Sequence, residues 1–177
     1  MHQATTSTIE ARARLVAEFY RRHAPGLLNA PPEILLRLNA MQLALIRRLA
    51  REDVGLCADF SANALAGRLD LPAAYQADAS ALGAVIVEAS RLGETRPREG
   101  ETVALTEGDA FIWYSQLLRE EPSTELEIAD ARPGEESSEL ECRVGLASLN
   151  AVSKLPADQA ASVGGSLLSQ ILAAGPD

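Results

Sequence analysis

The strongest pattern in the chain lies between Ile34 and Leu49, where Ile34, Leu35, Leu38, Met41, Leu45, Ile46 and Leu49 recur at spacings of three and four. That repeat marks one face of an α-helix. Leu36 and Leu43 fall outside the stripe, so this helix is expected to be buried on more than one side, as the centre of a bundle. Arg37, Arg47, Arg48 and Arg51 confine its polar surface to a cationic strip. Asn29 is available as a cap and Pro31-Pro32 pre-set the first turn, which places the helix over Pro31–Arg51.

The flanking segments read the same way. Ser7 or Thr8 caps a first helix from Thr8 to His23, with Ile9, Ala13, Ala17 and Tyr20 on one face and a stop near Pro25-Gly26. This leaves residues 1–7 as a polar, disordered tail and 8–175 as the helical domain. Asp53 caps a short helix through Val54, Leu56, Cys57 and Phe60, and Ser61–Gly67 fits helix or loop equally. Pro72 opens a helix to about Leu92, where Gly83 suits the close approach of a neighbour. Gly93–Gly100 is a linker without periodicity, and Glu101–Leu105 alternates weakly as a short extended segment.

Thr106 and Asp109 form a capping box for a helix ending at Arg119, predicted to bury Phe111, Tyr114, Leu117 and Leu118. An acidic stretch then turns at Pro133-Gly134, with Leu126 and Ile128 alternating too briefly to build a sheet. Ser137 or Ser138 caps a helix through Leu140, Val144, Ala147, Leu149 and Val152. A last helix opens at Pro156 and buries Val163, Leu167, Leu168, Ile171 and Leu172, with Gly164-Gly165 weakening its middle. The expected fold is all-α, a single-domain helical bundle of six to seven helices with an acidic loop near 120–138.

Composition supports this. Aromatic residues make up only 4% of the chain, so Leu, Ala, Val and Ile must fill the core, and Leu and Ala are good helix formers. No apolar run reaches the length of a membrane span. The net charge of −9 argues against nucleic acid, whose phosphates need a basic footprint. The charge is also unevenly placed. Eight arginines against three glutamates give residues 1–51 a net of +5, while thirteen acids against Arg119 and Arg132 give residues 99–141 a net of −11.

Chemical motifs are absent from the pattern. His2 and His23 are the only histidines, and His23 sits where a cation complements the end of the first helix. No nucleophile elbow, phosphate-cradling glycine loop, calcium loop or metal-ligand spacing occurs, and Glu135, Glu136, Glu139 and Glu141 lack a histidine to join them. No catalytic, cofactor or metal residue is therefore assigned, and an enzyme using carboxylates alone ranks last among the readings. The leading one is a non-enzymatic adaptor or inhibitor of the immunity type, binding a basic protein surface through the acidic 99–141 region. Its partner-binding candidates are Trp113, Tyr114, Glu120, Glu121, Glu125 and Glu127, with Trp113 either at the edge of the core or as an interface anchor. The alternative is a small-molecule-binding domain with an apolar cavity between helices and Arg37, Arg47 or Arg48 holding an acid group.

Cys57 and Cys142 lack the spacing of a redox pair and suit one structural disulfide joining early and late helices, with buried thiols as the other reading. The N-terminal MHQATTST has no apolar signal core, which leaves an exported mature form and a cytoplasmic protein both open. Nothing in the pattern sets the oligomeric state.

Overall fold

The computed structural model describes residues 2–66, 68, 71–95, 105–123 and 137–174, with 2–10 as backbone only. These residues form seven helices and no strand: α1 (His2–Leu27), α2 (Pro32–Glu52), α3 (Val54–Asn63), α4 (Ala73–Thr95), α5 (Glu107–Glu120), α6 (Ser138–Ser153) and α7 (Ala157–Ala174). The chain is a single-domain all-α bundle, as the periodicity implies. The two segments with weak strand character, at 101–104 and 126–128, lie outside the described residues, as does most of the acidic stretch, 124–136.

α2 is the axis. It packs on α3, α4, α6 and α7, and Leu35, Leu38, Ile46 and Leu49 are buried essentially completely. The position of Pro32 in its first turn costs no hydrogen bond, because that N–H would have no helical partner. Pro31, not Asn29, occupies the N-cap, and no side chain caps the helix. Asp53 ends α2 and starts α3 at once: its extended backbone breaks the helix, and its Oδ1 accepts from Leu56 N at 3.0 Å. Thr106 and Ser137 cap α5 and α6 in the same way, accepting from Asp109 N at 3.1 Å and Leu140 N at 3.2 Å.

Several boundaries differ from those the sequence pattern predicts. Among them is the end of α4, which runs through Gly93 to Thr95 where the pattern reads a linker, because Gly93 is buried against α1. α1 begins at His2 instead of Thr8, because adding Ser and Thr residues to an existing helix costs only tenths of a kcal/mol each. It also continues past His23 and through Pro25 to Leu27. Pro25 falls in the last turn, where few helical bonds remain to be lost, and burial of Ala24, Gly26 and Leu27 holds that turn in place. α3 stops at Asn63, followed by Ala64 and Leu65 in the left-handed region (φ 52° and 59°), where Ala64 N still donates to Phe60 O at 2.8 Å.

Glycines set how closely the helices approach. A Cβ on Gly93 would collide with the backbone of Gly26 and Ala30, so α1 and α4 meet backbone to backbone. On Gly164 it would enter the Asn39 amide, whose Nδ2 donates to Ala160 O at 2.8 Å and ties α2 to α7. Gly164-Gly165 is thus a packing surface for α2, and this offsets its poor helix propensity. Gly83 makes a milder contact, since a Cβ there would stand 2.8 Å from the Tyr20 hydroxyl, the far end of a side chain.

α3 and α6 form the most extensive helix pair, and the Cys57–Cys142 disulfide lies within it. Both cysteines are buried, with Cα atoms 5.1 Å apart, inside the range a disulfide accepts without moving the backbone. Beside it, a Cβ on Gly145 would overlap the Ser61 side chain, so the same helices are also closely packed away from the sulfurs. The bond closes a sequence separation of 85 residues. Replacing both cysteines by alanine is expected to reduce unfolding stability by roughly 2–5 kcal/mol with the helical content retained; urea titration followed by circular dichroism measures both.

Candidate functional site

α5 is the most loosely invested of the later helices. It packs chiefly on α6 and has one fully buried side chain, Leu117. Trp113 lies one turn earlier on the same face. Its ring is half-buried between two small clusters, Leu117, Ala147 and Ala151 on one side and Val152, Ala160 and Val163 on the other, and its Nε1 donates to Ser148 O at 3.4 Å. Trp113 is therefore seated in the core by its aromatic body, with its one polar atom satisfied.

That seating turns the remaining aromatics outward. Phe111 is 71% exposed, Ile112 42% and Tyr114 41%. The expectation that Phe111 and Tyr114 are core residues is overturned. A helix turns 100° per residue, so Trp113 and Leu117 cannot share the inner face with Phe111. Half-buried Leu118 joins Tyr114 at i, i+4, and together with Phe111 and Ile112 they leave much of the outer face of α5 apolar.

The acidic candidates have internal partners. Glu120 accepts from Lys154 Nζ at 2.5 Å and Gln116 Nε2 at 2.9 Å, which holds its carboxyl below the usual glutamate range, the lysine bond contributing most. Glu121 lies 3.9 Å from Arg143 Nε and accepts from Ser123 Oγ at 2.6 Å. Both tie the end of α5 to α6 and its C-terminal corner. Glu125 and Glu127 lie outside the described residues. Glu107 and Glu139 remain exposed at the starts of α5 and α6.

The arginines expected as ligand anchors point elsewhere. Arg37 pairs with Glu88 at 2.6 Å and Arg47 with Asn150 at 2.7 Å. Arg48 bridges Glu52 at 3.1 Å and Asp78 at 2.6 Å while lying 4.8 Å over the Tyr75 ring. They staple α2 to α4 and α6 from outside and line neither of the concave regions below. His23 contacts Glu94 Oε1 at 2.7 Å and lies tilted against Phe19, joining α1 to α4 one turn before the helix end. Among the described residues no cluster of three or more His, Cys, Asp or Glu could hold a metal, and no helix is long and apolar enough to cross a membrane.

Two concave regions stand out. A groove of about 250 Å³ between α1, α4 and the turn after α3 is lined by Val16, Tyr20, Leu65, Arg68 and Ile86, among others, and burial pushes the Tyr20 hydroxyl pKa up. A smaller cavity of about 100 Å³ lies under Trp113, with Gln42 on its wall. Gln42 escapes the apolar periodicity, although Leu35, Leu38, Gln42, Leu45 and Leu49 alternate at three and four and place it squarely in the stripe.

No protein-family model, curated protein or solved structure matches this chain. What defines its class is the architecture itself, a disulfide-bonded all-α bundle whose α5 turns an apolar face outward.

A carboxyl held below its ordinary pKa stabilises the fold above the unfolded-state value near pH 4.3, and that contribution is lost as pH falls through the folded-state value. Glu120→Gln is therefore expected to lower the urea midpoint at pH 7 and to lower it by less at pH 3. Parallel titrations at the two pH values check this.

Proposed function

We propose that this chain is an interaction protein that docks a partner on the outer face of α5. The observation that carries the reading is Phe111, a large apolar side chain 71% exposed on an ordered helix, with Ile112 and Tyr114 exposed beside it. Exposed aromatics of this kind act as anchors when a partner supplies a pocket and excludes water. The partner is a protein whose apolar cleft is rimmed by Lys and Arg, because the net charge of −11 over residues 99–141 surrounds α5 in sequence. Its work on this reading is binding and not catalysis.

On this reading the anchor is not Trp113 but Phe111, two residues away on the opposite side of α5. Trp113 supports α5 from inside, while Phe111 and Ile112 make the contact. Glu120 and Glu121 shape the end of the helix through Lys154 and Arg143, and the exposed Glu107 and Glu139 contribute to steering. The Cys57–Cys142 disulfide supports an oxidising compartment as the working location.

Affinity capture with the full chain at low salt compares the wild type with Phe111→Asp, and with Leu15→Asp as a control at another exposed apolar residue, in α1. A partner held by the wild type and the control is expected to bind Phe111→Asp about 30-fold more weakly, as loss of a hot-spot side chain implies. Its capture should also weaken as salt rises. Equal affinity of wild type and Phe111→Asp for every captured protein would rule the reading out.

A further inference from the structure

A third concave region, a groove of about 560 Å³, separates α1 from the turn that follows α3. Arg14 and Arg21 stand on its α1 side with Ala13, Ala17 and Glu18, and Ala66 and Arg68 form the opposite wall. Seven residues apart, Arg14 and Arg21 lie on one side of the helix, about 10 Å from each other along its axis. Ala17, three residues after Arg14 and four before Arg21, puts only a methyl group between them on that side. The opposite wall is fixed by its own hydrogen bonds. Ala66 N donates to Asn63 O at 2.8 Å, and Arg68 N donates to Leu65 O at 3.1 Å.

The charges around this groove are not balanced. Glu18 accepts from Arg22 at 2.9 Å, and Arg68 pairs with Asp59. Arg14 and Arg21 make no hydrogen bond or ion pair among the described residues, in a chain with 25 acids to 16 bases. Water in the groove solvates these two like charges without neutralising either, whereas an anion over Ala17 offsets both. Arginine suits that task, since its planar guanidinium presents parallel N–H donors that match two phosphate oxygens at once. Two such forks match a dianion better than a monoanion. A phosphate group alone fills only a small part of this volume, which lies in the range of small-molecule sites. Ala13, Ala17 and Ala66 leave an apolar surface for the rest of a ligand.

We propose that this groove binds a small organic phosphate monoester. Its dianionic phosphate lies over Ala17 and accepts from both Arg14 and Arg21, while its body rests on Ala13 and Ala66. Glu18 is the one acid among the lining residues, and Arg22 holds it. The site is independent of the partner surface on α5, since no residue of α5 lines it.

The test follows the backbone amide resonances of Ala17 and Ala66 at about pH 7.5, where a phosphate monoester is mainly the dianion. Three probes are compared: phenyl phosphate, phenyl sulfate with the same shape but one charge, and inorganic phosphate without the body. Phenyl phosphate is expected to give saturable shifts with a dissociation constant on the order of 1 mM, about fivefold or more below that of either other probe. Arg14→Gln and Arg21→Gln are each expected to weaken its binding by about tenfold, the scale of one charge-assisted hydrogen bond. Both arginines are exposed, so these variants keep the fold. Arg91→Gln removes an exposed arginine of α4 outside the groove and is expected to leave the constant unchanged. Shifts that never saturate, equal binding of phenyl phosphate and either other probe, or equal weakening by Arg91→Gln would each overturn the proposal.

Discussion

Everything in this bundle is arranged around the need to bury α2 on nearly every side. A helix with apolar residues on its stripe and off it cannot lie on a surface, and here four other helices enclose it. The remaining polar groups of α2 are dealt with individually. Its arginines leave the bundle and pair with Glu88, Asp78 and Asn150 at its rim. Asn39 is buried but satisfied by Ala160 O and fitted against Gly164. Gln42 is the exception, and that exception coincides with a cavity.

Enclosing one helix by several others with few aromatics requires short interhelical distances. Small residues supply them. Gly26 with Gly93, Gly145 with Ser61 and Gly164 with Asn39 are places where a methyl group would force helices apart. The disulfide joins the most extensive helix pair, so covalent and packing constraints reinforce each other at the α3–α6 contact. Rigid packing there lets α5, which rests mainly on α6, expose an apolar face without losing its position.

Much of this fold was legible. The period of the stripe from Ile34 to Leu49 named the central helix, and Asp53, Thr106 and Ser137 announced three helix starts by chemistry that acts within a few residues. With only two cysteines, the disulfide had only one pairing to consider. The orientation of α5 was not legible, because two stripes compete on it: Trp113 with Leu117, and Tyr114 with Leu118 and Phe111. Local periodicity weighs them equally. What decides is a seat between α6 and α7 that fits an indole and offers Ser148 O to its N–H, which is tertiary information. Which acids were internally paired was hidden for the same reason, since Lys154 and Arg143 reach Glu120 and Glu121 from another helix and its C-cap.

The claim on which the functional account rests is that α5 turns Trp113 in and Phe111 out. Acrylamide quenching of tryptophan fluorescence tests it directly, comparing the wild type, whose only indole is Trp113, with a Trp113→Phe, Phe111→Trp variant. The account predicts a quenching constant several-fold larger for the indole at position 111. Equal quenching at the two positions, or stronger quenching of Trp113, would contradict it.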